Sequence, residues 1–380
     1  MSKSNETTPN VPTLRFKQFQ DNWSAKCLSD IAEVVGGGTP DTTDSTLWNG
    51  DIQWFTPTEV GHSKYVSTSI RTISQLGLQK SSAKILPAGS ILLSSRATVG
   101  ECSIAQKDCT TNQGFQSLIP KKSVNNEFLY YLAQTQKQHF IKYASGSTFL
   151  EISNSEIKKT KCAVPSIEEQ TEIATFLSAV DRKIEVQNKI ISKYETLIKG
   201  LCDILFTGTE ENVLPLKAIV SIDKGQQING LSLAKTGKYY YLNGGIVPSG
   251  YVDDYNTLEN TIAISEGGNS CGFVSYNAQK FWSGGHCYTL KIKNTQCRSK
   301  FLFFYLKYRE KDIMQLRVGS GLPNIQKKSL ENFVVPLPTF EKQCYIECIL
   351  ESITAKKEIE TALLGQFQSQ KKFLLSKMFI

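Results

Sequence analysis

Pro165-Ser166-Ile167-Glu168-Glu169-Gln170 opens the stretch that decides how this chain folds, because it is written again as Pro338-Thr339-Phe340-Glu341-Lys342-Gln343. The copies are offset by 173 residues, and the offset holds on both sides of the segment. Upstream, Phe128-Leu129-Tyr130-Tyr131 matches Phe301-Leu302-Phe303-Phe304, Gly146-Ser147 matches Gly319-Ser320, and Ile152 matches Ile325. Downstream the register runs without a gap until Leu205-Phe206 meets Met378-Phe379. Above Phe128 the likeness fades, with Ser117-Leu118 still resembling Thr289-Leu290 at a slightly different offset. Two units thus share an end and differ at their beginnings. A two-site binder with a shared scaffold and divergent recognition surfaces has this form; an old duplication with neutral drift in its loops has it too.

Each copy leads into a long helix. Ser166 is a good N-cap, and Glu169 three residues on completes a capping box. Thr339 can cap the second helix, where Lys342 replaces the box glutamate. In the first, Ile173, Leu177, Val180, Ile184, Ile191, Tyr194, Ile198, Leu201 and Leu205 recur in threes and fours, with Gln187 the one polar interruption. That is a coiled-coil seam, predicted to run from about Ser166 to Phe206. The second helix carries Ile346, Leu350, Ile353, Leu364, Phe367, Leu374 and Met378 on the same seam, with Lys357, Glu360 and Lys371 at seam positions. Polar seam residues cost stability but fix register and orientation. A helix of about 41 residues is roughly 60 Å long. That is more seam than either globular part can cover, so the helices are expected to cover each other.

The remaining boundaries follow. Residues 1–13 read as a disordered tail, 14–165 and 213–338 as globular domains, 166–207 and 339–380 as the long helices, and 208–212 as a linker. The domains read as mixed α/β. Ile85–Ser94 and Thr261–Ser265 are predicted strands, and Glu127–Lys142 and Lys300–Leu316 predicted helices. Glycine-rich turns at Gly36-Gly37-Gly38, Asn243-Gly244-Gly245, Glu266-Gly267-Gly268-Asn269 and Ser283-Gly284-Gly285 separate the strands.

Composition bounds the chemistry. With 40% hydrophobic and 21% charged residues, a packed core is feasible, and the formal net charge of +8 leans toward a polyanionic partner. The ten cysteines contain no Cys-x-x-Cys pair and read mostly as buried thiols of a reducing cytosol. Three scattered histidines, His62, His139 and His286, do not make a metal site. No apolar run reaches a membrane span and the N-terminus lacks a signal-peptide core, so a cytoplasmic protein is expected. No constellation for catalysis can be assembled. There is no phosphate loop, no Asn/Asp-Pro-Pro-aromatic motif of an adenine methyltransferase, and no Gly-x-Ser-x-Gly elbow. Pro40-Asp41 with Glu156-Ile157-Lys158 has the letters of a nuclease, but more than a hundred residues separate the pieces and Glu156 meets Ser329 in the other unit.

Several segments now form a pattern: Gly37-Gly38-Thr39-Pro40 followed by Trp48-Asn49-Gly50-Asp51-Ile52-Gln53-Trp54, Ser94-Ser95-Arg96-Ala97-Thr98-Val99-Gly100, and Thr111-Asn112-Gln113-Gly114-Phe115. Gly146-Ser147-Thr148 through Ile152 to Pro165 and Gln170 closes it, and Gly319 through Ile325 to Pro338 and Gln343 closes it again. From about Val11 onward the chain resembles the specificity subunit of type I restriction-modification systems. The resemblance implies an α/β mixed (α+β) fold: two target-recognition domains joined by two long antiparallel coiled-coil helices, a pseudo-two-fold internal repeat. It implies a non-catalytic, double-stranded-DNA-binding subunit reading a bipartite asymmetric target. It also implies two methyltransferase and two restriction subunits as partners, which bind S-adenosylmethionine, ATP and magnesium, while this chain holds no cofactor and no metal.

Base reading needs paired donors and acceptors: arginine for guanine, asparagine and glutamine for adenine, serine and threonine for single bonds. The expected DNA-binding residues are Thr39, Lys64, Arg96, Asn112, Gln113, Ser147 and Thr148 in the first domain. In the second they are Gln226, Gln227, Asn243, Asn269, Ser320, Asn324 and Lys327. Lys158, Lys159 and Lys161 suit phosphate or solvent. The expected helix-pair packing residues are Ile173, Leu177, Val180, Ile184, Ile191, Ile198, Ile346, Leu350, Ile353, Leu364 and Phe367. Two other readings stay open from the residues: the DNA-recognition subunit of another methylation-based defence system, and a scaffold with no nucleic-acid role.

Overall fold

The computed structural model describes residues 10–146, 150–207, 212–230, 233–319 and 321–380. The chain forms two compact units, Met1–Gln187 with Leu363–Ile380, and Asn188–Ala362. The boundaries therefore cut through both long helices rather than setting them apart as separate segments.

In the first unit the strands are β1 (Ser24–Cys27), β2 (Ala32–Gly36), β3 (Trp48–Phe55), β4 (Tyr65–Val66), β5 (Arg71–Ile73), β6 (Ile91–Leu93), β7 (Cys102–Ala105), β8 (Cys109–Thr111), β9 (Gln116–Pro120) and β10 (Lys161–Val164). They form a sheet ordered β2-β9-β6-β7-β4, a smaller one ordered β5-β3-β8, and the pair β1-β10. In the second unit they are β11 (Val213–Pro215), β12 (Val220–Lys224), β13 (Tyr239–Leu242), β14 (Gly250–Val252), β15 (Thr261–Ser265), β16 (Val274–Asn277), β17 (Phe281–Ser283), β18 (Cys287–Ile292), β19 (Arg317–Val318), β20 (Asn324–Ile325) and β21 (Val334–Pro336). Their sheets run β12-β18-β15-β16 and β14-β13-β17, with pairs β11-β21 and β19-β20.

The main sheets and the β1-β10 and β11-β21 pairs follow the same order, strand for strand; β4 is added at one edge in the first unit and the pair β19-β20 in the second. Even the parallel pairing of β3 with β8 returns between β13 and β17. The duplication thus extends over the region where the sequence likeness fades. A buried strand requires only apolar side chains of suitable size. Ile91, Leu92 and Leu93 of β6, all fully buried, correspond to Ile262, Ala263 and Ile264 of β15.

Local differences from the sequence reading have simple causes. The expected strand over Ile85–Ser94 begins only at Ile91, because Pro87-Ala88-Gly89 turns: Ser90 N–H donates to Pro87 O (3.1 Å) and Gly89 has φ +90°. The helices expected over Glu127–Lys142 and Lys300–Leu316 each break once, into Asn126–Thr135 and Lys137–Tyr143, and into Ser299–Tyr308 and Glu310–Gln315. The breaks at Gln136 and Arg309 occupy the same place in the repeat. The tail ends earlier than expected. Asn10 Nδ2 donates to Trp23 O (2.8 Å) and Leu14 N–H to Lys377 O (2.9 Å), so residues 10–13 are tied down.

The long helices are Ile167–Phe206 and Phe340–Met378. Ile173, Leu177 and Val180 share the first unit's core with Leu374, Met378 and Phe379. Cys202, Phe206, Ile346 and Leu350 share the second unit's core. In each unit the start of one long helix shares a core with the end of the other. Ile184, Ile191, Ile198, Ile353, Leu364 and Phe367 are half-buried along the seam, and Gln187 is buried. The polar seam positions are used for pairing. Lys371 meets Asp181 at 2.7 Å, and Lys357 meets Glu195 at 3.6 Å.

Only half of the expected capping box forms. Glu169 N–H donates to Ser166 Oγ (3.4 Å), but the Glu169 carboxylate turns away to Arg15 Nε (2.7 Å), Arg15 Nη2 (2.8 Å) and Trp23 Nε1 (3.2 Å). A guanidinium offers a bidentate pair of hydrogen bonds between two charged groups, whereas the N-cap amide offers a single bond.

Candidate nucleic-acid interface

The glycine-rich turns bring distant loops together. A Cβ on Gly37 would lie 2.1 Å from Asn112 O, so only glycine permits the approach, and Gly38 N–H donates to Thr111 O (2.9 Å). Thr39 Oγ1 then reaches Gln113 Oε1. Asn112 spends its Oδ1 on the Gly114 N–H (2.9 Å), leaving Gln113 exposed at the turn. Ser95 N–H donates to Gly114 O (2.8 Å), which sets Arg96 beside the same turn. Across from Arg96 stands Glu151, in a bridge that also pairs Ser145 with Glu151 in both directions at 2.9 Å. Thr39, Arg96, Asn112 and Gln113 therefore converge. Ser147 and Thr148 lie outside the described residues.

Lys64 is placed elsewhere. Its side chain is only 10% exposed, and its ammonium donates to Glu127 Oε2 (2.9 Å), Ser178 Oγ (2.6 Å) and Tyr131 OH (3.2 Å). Tyr131 OH in turn donates to Asp181 Oδ2 (2.6 Å). This cation fastens the domain to the start of the first long helix and is committed to partners inside the protein, apart from the cluster of Thr39, Arg96, Asn112 and Gln113.

The second unit repeats the construction with different side chains. A Cβ on Gly225 would lie 2.3 Å from Gly284 O, and Gln226 N–H donates to Ser283 O (2.8 Å). Asn243 Oδ1 accepts from His286 N–H (3.1 Å), and Glu266 N–H donates to His286 O (2.9 Å). Gly267 bridges to Asn324, as Arg96 does to Glu151. Gln226, Gln227, Asn269 and Asn324 are exposed, and Asn243 is half-buried. Lys327 is exposed one turn from Glu331 (3.9 Å) at the start of a short helix. Ser320 lies outside the described residues.

Sequence reasoning missed Glu266, Lys224 and His286. Glu266, largely buried, accepts from Lys224 Nζ (2.7 Å) and Tyr288 OH (3.2 Å), with His286 Nδ1 at 3.8 Å. Burial, with Glu266 beside it, pushes the Tyr288 hydroxyl up to about 12. Flanking Gly-Gly pairs at 267–268 and 284–285 were the available signal. Glu151 was missed as well, since nothing local in sequence marks it as opposite Arg96.

Elsewhere the titratable groups are structural. Burial pushes the Cys102, Cys109, Cys162 and Cys297 thiols up to about 12, far from nucleophilic thiolates. Among the described residues no group of His, Cys, Asp and Glu could hold a metal ion, and no helix is long and apolar enough to cross a membrane. Lys158 and Lys161 are exposed, and Lys159 lies 3.8 Å from Glu156.

These features define a class: a duplicated α/β protein whose two units present matched loop clusters with unmatched side chains. The family described as type I restriction modification DNA specificity domain matches residues 20–196 and again 210–367, and the chain belongs to it. Similar relatives include the type I restriction enzyme MjaIX specificity subunit of Methanocaldococcus jannaschii, 30% identical over 90% of this chain and 92% of that one. The EcoprrI specificity subunit of Escherichia coli is 24% identical over 85% and 86%. The crystal structure of a type I restriction-modification system S subunit from M. genitalium shares the fold. Its TM-score is 0.67 at 20% identity, covering 97% of this chain and 99% of that one.

Proposed function

We propose that this chain is the non-catalytic specificity subunit of a type I restriction-modification complex, working in the cytoplasm. Each unit reads one half of a bipartite, asymmetric DNA target. The observation that carries this reading is the pair of loop clusters: one scaffold order, two different sets of donors and acceptors. The first cluster offers Thr39, Arg96, Asn112 and Gln113; the second offers Gln226, Gln227, Asn243, Asn269, Asn324 and Lys327. Ser147, Thr148 and Ser320 belong to the same closing loops by sequence. Because the two sets of side chains differ, the two half-sites differ and the whole target is asymmetric.

Chemistry belongs to the partners in this reading. Two methyltransferase subunits dock on the chain and methylate flipped adenines with S-adenosylmethionine, and two restriction subunits supply ATP- and magnesium-dependent cleavage. This chain contributes position and sequence choice, and binds no cofactor. The test is to map methylated adenines across the host genome with and without this gene. A two-part asymmetric motif that disappears with the gene is expected. Methylation by the purified chain alone, given the methyl donor, would overturn its non-catalytic role.

A further inference from the structure

We propose that Arg96 and Glu151 together read one G·C base pair in the half-site of the first unit. The inference rests on the loop clusters being the DNA-facing surfaces.

The backbone around Arg96 is held at many points. Ser94 N–H donates to Glu101 O (2.8 Å), Ile152 N–H to Ser95 O (2.9 Å) and Ala97 N–H to Leu150 O (3.3 Å). Ser94 Oγ donates to Arg96 O (3.1 Å). Thr98 N–H donates to Arg96 O (2.8 Å), closing a three-residue turn with Ala97 at φ +62°. An alanine resists that conformation, and three-residue turns of this hand are rare and strained. At the corresponding position the second unit has a glycine: Gly268, at φ +75°, donates to Pro323 O (3.0 Å) as Ala97 donates to Leu150 O. Backbone strain retained beside an exposed arginine is the pattern of a positioned functional group.

The side chains then choose between phosphate and base. Arg96 Nε lies 3.7 Å from Glu151 Oε2, and the two side chains are 45% and 48% exposed. A carboxylate at that distance disfavours a phosphate, which it would repel. It suits a base pair. Guanine presents O6 and N7 to an arginine fork, and the cytosine opposite presents an N4 amino group to a carboxylate. The second unit has Gly267 and Asn324 at the corresponding bridge, so its half-site lacks this reader.

The test uses the complete complex of this chain with its methyltransferase subunits, acting on a plasmid library with both half-sites randomised. The unaltered complex is expected to require a G·C pair at one position of one half-site. Arg96→Gln is expected to lower the preference for guanine at that position by about 10- to 100-fold. The other half-site, unchanged, reports that the protein is folded. Glu151→Gln is expected to relax the same position in part. Arg96→Lys, which keeps the charge but not the fork, separates the roles: a base reader is not rescued, whereas a phosphate contact is. An unchanged motif in Arg96→Gln beside a selective unaltered complex overturns this inference alone. An unaltered complex without sequence selectivity overturns the underlying reading and this inference with it.

Discussion

Gln170 and Gln343 each fasten three backbone groups at the foot of a long helix. Gln170 accepts from Asn125 N–H (3.0 Å) and donates to Pro165 O (3.0 Å) and Ser123 O (3.4 Å). Gln343 accepts from Arg298 N–H (2.9 Å) and donates to Pro338 O (2.8 Å) and Gln296 O (2.9 Å). Both side chains are buried, so removing one leaves these groups without their partner and without water. Gln343→Leu should therefore cost about 3 kcal/mol of stability, read by denaturant unfolding. A loss below about 0.5 kcal/mol would mean that the amide carries no weight. The repeated glutamine was visible as a letter, but its use was not, because two of its three partners lie about forty-five residues away. Glu169 failed the sequence reading for the same reason. Local capping rules say nothing of an arginine at position 15.

At the scale of the helix, the polar seam residues divide into two kinds. Lys371 and Asp181 are 20% and 16% exposed, and Tyr131 donates to the same aspartate. Lys371→Leu strands a half-buried carboxylate and should cost about 2–3 kcal/mol, whereas the double variant with Asp181→Leu should regain most of that loss. Lys357 and Glu195 are 32% and 59% exposed, so Lys357→Leu should change stability by less than about 1 kcal/mol. Equal losses from the two lysine variants would remove the distinction. The network around Lys64 adds a pH signature. Burial raises the Glu127 carboxyl, but hydrogen bonds from Ser178, Tyr65 and Lys64 outweigh it, and its pKa is lowered below the ordinary 4.5. A carboxylate whose folded pKa is depressed stabilises above its unfolded value and loses that contribution as pH falls through the folded value. Stability should therefore fall as pH drops below the ordinary carboxylate range, and more gently in Lys64→Met, when unfolding is followed between pH 7 and pH 3. Seam periodicity was legible in sequence because helical spacing is local. The sheet order was not, since β3 pairs in parallel with β8 across a long excursion of chain.

At the scale of the molecule, the two compact units divide the long helices at Gln187/Asn188 and Ala362/Leu363, so each helix belongs to both units. That division identifies where length can be changed without touching either loop cluster or the ends that lock each helix to its domain. Four residues inserted into each helix at those points add about 6 Å at about 1.5 Å per residue. They add one extra step of four to the seam, a stutter that local unwinding of the helices accommodates. If the helices set the separation of the reading surfaces, the unread gap between half-sites should lengthen by one or two base pairs, at about 3.4 Å each. Both half-sites should stay as they are, because Arg96, Gln113, Gln226 and Asn324 keep their local frames. Insertion into one helix alone should instead disturb the pairing of Lys371 with Asp181 or of Lys357 with Glu195, and lower stability along with methylation. Methylation motifs mapped for the unaltered chain, the single insertions and the double insertion provide the measurement. A changed half-site at constant gap would show that the helices do not act as a ruler, leaving the fixed separation to the domains themselves.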